Sequence, residues 1–139
     1  MSCFWISLLS SLTIDDIKKI DKSIKKKPNA KEFCILLKKN NKICKNVKIN
    51  EKDLTNQFLK EIFNWIKDYD CTTYNSGTLV GTSDPFLILL CELLEVKIIH
   101  NYKGNLGKYK FNTTINYINI KKIIKTLKYG SNTGHFYKI

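Results

Sequence analysis

Phe4 to Leu12 is an apolar block broken only by serines, which predicts a buried helix opening just after Cys3. Thr13 followed by Asp16 makes a capping-box pattern. Ile14, Ile17, Ile20 and Ile24 then recur at helical steps, so a second helix is expected until Lys25–Pro28 ends it. Phe33, Leu36 and Leu37 mark a third helix over Lys31–Lys39, closed by KKNNK. Asn50 can cap a longer helix reaching Tyr69, with Leu54, Phe58, Ile62, Trp65, Ile66 and Tyr69 on one face and lysines and acids opposite. The loop CTTYNSGTLVGT follows. Ser83-Asp84-Pro85 then supplies a cap, an acid and a first-turn proline for PFLILLCELLE, which is apolar nearly all round and therefore expected at the centre.

After Glu95 the period changes from helical to alternating. VKIIHNY reads as a strand, KGNLG as a turn, and GKYKF as the partner that completes a hairpin. Asn116–Ile120 and Lys121–Leu127 carry further β-branched alternation, YGSNTG reads as a turn, and His135–Ile139 as the final strand. A helical first two-thirds packed on a small, mostly antiparallel C-terminal sheet is an α+β arrangement.

Length and composition narrow the class. The 139 residues form one domain, 1–139, long enough to bury a core, and 43% hydrophobic content excludes a disordered tail. Five cysteines, Cys3, Cys34, Cys44, Cys71 and Cys91, with no CxxC pair argue against a zinc ribbon or a secreted disulfide framework. Cys34 and Cys91 sit in apolar runs and read as small core residues. Met1–Leu12 lacks the basic start of a signal peptide, and Phe86–Leu94 falls short of the roughly 20 residues a spanning helix needs. A soluble cytoplasmic protein that does not engage a membrane is expected.

The net charge of +12 invites a nucleic-acid reading. Every basic residue is lysine, however, and arginine is the preferred fork for phosphate and guanine. Lysine, asparagine and isoleucine share A/T-rich codons, so genome composition accounts for part of the charge. Nucleic acid is not the expected partner. Asp15 and Asp16, adjacent and pointing apart, read as capping and solvation rather than an acid/base pair. Trp5 reads as a buried aromatic. Gly77, Gly81, Thr82 and Ser83 form no Walker pattern.

The chemistry sits at the two ends. A thiolate is favoured at a helix N-terminus, and a neighbouring imidazole completes a nucleophile–base pair. Cys3 meets the first requirement, and His135, on a strand after Gly134, can meet the second. On spacing alone, a cysteine before an apolar helix is ordinary and a histidine near a terminus is usually a surface residue, so spacing by itself favours that reading over the pair. The other histidine, His100, alternates with Ile98 and suits a sheet position.

The order of elements resembles the ovarian-tumour (OTU) family of cysteine proteases, many of them deubiquitinases. Ser2-Cys3-Phe4-Trp5 is similar to that family's nucleophile block, although its preceding Asp-Gly is not matched. GTSDPFLILLCELLEVKIIHNY resembles its central helix–strand unit, and IKKIIKTLKYGSNTGHFYKI its terminal strand, turn and His-aromatic. The likeness extends from Cys3 to Ile139 and implies a papain-like fold with Cys3 as nucleophile and His135 as base. Tyr137 stands where the family often has an acid that orients the imidazole, leaving Asn132 as the substitute. The resemblance further implies ubiquitin or a ubiquitin-like protein as substrate, a viral polyprotein as a second one, a monomer, no cofactor or metal, and a viral source. A catalytically inactive ubiquitin-binding relative and a lysine-rich nucleic-acid-binding domain are the alternatives.

Overall fold

Residues 3–72, 85–103, 110–132 and 135–139 are described by the computed structural model, 110 and 111 by their backbone alone. The expected KGNLG turn, the Ser83-Asp84 cap and most of the glycine-bearing loop before it lie outside these residues. The helices among the described residues are α1 (Cys3–Ser11), α2 (Ile14–Lys18), α3 (Ala30–Lys39), α4 (Asn56–Asp68) and α5 (Pro85–Leu94). The strands are β1 (Val47–Ile49), β2 (Lys52–Asp53), β3 (Lys97–Lys103), β4 (Lys110–Tyr117), β5 (Thr126–Asn132) and β6 (His135–Lys138). They form one sheet in the order β2-β1-β4-β3-β5-β6. Every neighbouring pair is antiparallel except β3 and β5. The architecture is α+β.

Helix α5 is buried on almost every side, as its all-apolar sequence requires, and packs on α4 and on the sheet. The aromatic core around it joins both ends of the chain: Trp5 lies edge-on to Phe86 at 4.7 Å and to Phe4 at 5.1 Å, and Phe4 edge-on to Phe136 at 4.9 Å. Such ring pairs add about 0.5–1.5 kcal/mol each beyond the area they bury.

The anticipated capping box forms: Thr13 N–H donates to Asp16 Oδ2 at 2.8 Å, and Asp16 N–H to Thr13 Oγ1 at 3.2 Å. The expected helix through Ile24 ends early, at Lys18. Asp21 there accepts bonds from the Ser23 backbone and hydroxyl at 2.9 and 2.7 Å, a local alternative to the helical ladder.

Asn50 does not cap a helix. It and Glu51 have φ of 50° and 64° and form the two-residue turn between β1 and β2. Its N–H donates to Thr114 O at 2.8 Å, and its side-chain oxygen accepts from Thr114 N–H at 2.9 Å. Thr55 is the N-cap of α4 instead. The first two-thirds is therefore not purely helical; its β1–β2 hairpin extends the sheet beside β4. YGSNTG is also corrected: Tyr129 to Asn132 belong to β5. Lys121–Leu127 opens in a 3-10 turn at Ile120–Lys122, capped by Asn119, and becomes strand only from Thr126. Ile120 and Ile124 are exposed, so their alternation has no face to bury.

Candidate active site

Helix α1 runs alongside the edge strand β6 in the same direction, and the sheet register explains why. Ile139 N–H donates to Lys128 O at 3.0 Å. Bonded and non-bonded pairs alternate down an antiparallel ladder, so Phe136 falls in a non-bonded pair and its carbonyl points off the sheet edge. There the Ser7 hydroxyl donates to it at 3.2 Å. Further along, Lys138 Nζ donates to Ser10 O at 3.5 Å. From Cys3 to Ser10 the helix rises about 10 Å, and from His135 to Lys138 the strand also advances about 10 Å. A helix pinned at Ser7 and Ser10 must therefore bring its first residue level with His135.

Cys3 Sγ lies 3.9 Å from His135 Nδ1, although the two residues are 132 positions apart in sequence. Cys3 is half-buried and His135 exposed, so the pair opens to solvent. Thiol and imidazole can share a proton at this spacing with a small closure, and catalytic hydrogen bonds commonly tighten when substrate is bound. A soft nucleophile sits at the mouth of a helix whose first N–H groups lack intrahelical partners, beside a group able to accept and return a proton.

Asn132 is brought close but not bonded. It is the cross-strand partner of His135, yet among the described residues no hydrogen bond joins the two side chains. Tyr137 turns its ring over Gly130, its own cross-strand partner, where a Cβ would collide with it. Gly130 thus serves the close approach of an aromatic, not a turn.

The remaining candidates fall into place as core. Trp5 is buried among aromatics. His100 is fully buried; its Nε2 lies 2.7 Å from Ser131 Oγ, and its ring contacts Phe136, so it supports the hairpin that carries His135. Burial pushes the Cys44 thiol up to about 12, with Glu92 adding to it. Burial likewise raises Cys91 and Cys34, the latter helped by Cys71. Cys44 and Cys91, sealed in the core, are thereby held neutral and unreactive. Asp16 does the capping expected of it and pairs with Lys125 at 2.6 Å.

A groove of about 740 Å³ lies near the far edge of the sheet, lined by Val47, Leu54, Leu59 and Ile118 with Lys45 and Lys60. Its lining has no thiol, imidazole or hydroxyl. Chemistry therefore points to the α1–β6 junction. Among the described residues no cluster of three or more His, Cys, Asp or Glu could hold a metal, and no helix is long and apolar enough to cross a membrane. The chain matches no protein-family model, no curated protein and no solved structure.

Proposed function

We propose that this chain is a thiol peptidase of OTU-like type, acting after the C-terminal glycine of ubiquitin or a ubiquitin-like modifier. The observation that carries the reading is the 3.9 Å approach of Cys3 Sγ to His135 Nδ1 at the start of α1. The resemblance of the central GTSDPFLILLCELLEVKIIHNY block and of the terminal GHF to that family supplies the substrate class.

His135 takes the Cys3 proton, and Cys3 Sγ attacks the carbonyl carbon of the scissile peptide or isopeptide bond. The N–H groups at the mouth of α1, including that of Cys3, stabilise the oxyanion, each such donor contributing roughly 3–4 kcal/mol. His135 returns the proton to the departing amine, leaving a thioester. It then draws a proton from water, whose oxygen releases the acid and frees the thiol. Asn132 orients the imidazole from the neighbouring strand once substrate closes the site. A viral polyprotein with a matching glycine-ended junction is a second substrate by the same steps.

Ubiquitin bearing a thiol-reactive electrophile at its C-terminus tests this. Labelling should occur, map to Cys3 and vanish in Cys3→Ala, and di-ubiquitin cleavage should be lost in the same variant. Cleavage that survives Cys3→Ala, or no labelling with ubiquitin or any ubiquitin-like modifier, would overturn the reading.

A further inference from the structure

Away from the Cys3–His135 site, Cys34 on α3 donates its S–H to Cys71 Sγ across only 3.3 Å. All five cysteines are free thiols, Cys34 buried and Cys71 half-buried. We infer that Cys34 and Cys71 form an oxidisable dithiol, a modification site that takes a small-molecule disulfide as oxidant and closes to an internal disulfide. The inference does not rest on peptidase activity.

Two independent tethers keep the sulfurs facing. Lys38, one turn along α3 from Cys34, donates from Nζ to Tyr69 O at 2.6 Å, tying that helix to the end of α4. Asp70 Oδ1 accepts from the Thr72 N–H at 2.9 Å and hydroxyl at 2.7 Å, folding the backbone around Cys71. A disulfide needs its sulfurs at about 2.05 Å, so side-chain rotation has only a little over 1 Å to close.

The exposures set the order of events. Cys71 thiolate attacks one sulfur of the small disulfide, expelling a thiolate and forming a mixed disulfide. Cys34, as its thiolate, attacks the Cys71 sulfur and expels the second thiolate. The protons lost by the two cysteines end on the two released small thiols. Two protein thiols are thus oxidised and one disulfide is reduced. Burial first, and Cys71 second, push the Cys34 thiol up, so the closing step should accelerate as pH rises.

The test is peptide mapping without reduction, on the full folded chain incubated with oxidised glutathione and quenched by alkylation. A linked Cys34–Cys71 peptide, removed by dithiothreitol, is expected. Because the bridge closes the chain from α3 to beyond α4, Tm should rise by about 10 °C. Cys34→Ser should stop at a glutathione adduct on Cys71. Cys71 left as that adduct in the wild type, or Cys34 and Cys71 both alkylated after oxidation, would overturn the inference. The wild-type mapping decides even if Cys34→Ser fails to fold.

Discussion

Cys3 and His135 each look ordinary in the sequence, and no spacing rule links positions 132 apart. What made them legible was resemblance at both ends of the chain; their proximity is a property of the fold. Asn132 was legible as a neighbour, since it lies just upstream of His135, but that its side chain stands unbonded to the ring was not, because a side-chain rotamer decides it. If Asn132 orients the imidazole, Asn132→Ala lowers kcat on the order of tenfold with little change in KM. Steady-state kinetics on a fluorogenic ubiquitin substrate checks this, and an unchanged kcat would leave a dyad. Gly130 was misread as a turn residue because glycine signals both a turn and a close packing contact. Gly130→Ala should cost about 1 kcal/mol by displacing the Tyr137 ring, and adding Tyr137→Ala should make the double variant less than additive in urea denaturation.

Caps and long apolar runs announced the helices, and the capping box at Thr13 and Asp16 was readable letter by letter. The β1–β2 hairpin was not. Its strands are three and two residues long, and Asn50 is as good an N-cap as a left-handed turn residue. Thr114, far along the chain, is what selects the turn. The placing of α1 against β6 likewise depends on tertiary partners, chiefly the bond from Ser7 to the Phe136 carbonyl. Ser7→Ala leaves that buried carbonyl without its partner, which costs about 1–2 kcal/mol. It should also reduce electrophilic labelling of Cys3 more than a change elsewhere of equal cost, such as Leu36→Val. Labelling rates compared at matched stability check the point, and equal rates would mean that α1 keeps its register without Ser7.

The chain's two ends are held together through α1 and β6, and a second clasp joins α2 to the approach to β5. Burial opposes ionisation of Asp16, but the Lys125 ammonium and the Thr13 N–H and hydroxyl outweigh it, so its carboxyl titrates below the usual carboxylate range. Because the folded value lies below the unfolded one, near 3.9, the clasp contributes fully above about pH 4. Its contribution is lost as pH falls through the folded value. Asp16→Asn should therefore cost on the order of 1 kcal/mol at pH 7, with the difference vanishing toward pH 2. Chemical denaturation at the two pH values reads this directly, and a constant difference would assign the effect to packing.

One comparison bears on the nucleophile–base pair without assuming any substrate. Folded protein is treated with limiting iodoacetamide at pH 7, and alkylation of each cysteine is followed by mass spectrometry in wild type and in His135→Ala. Cys3 should react first in the wild type and slow by about tenfold or more in the variant, while Cys71 keeps its rate. Equal Cys3 rates in the two proteins would contradict the pairing.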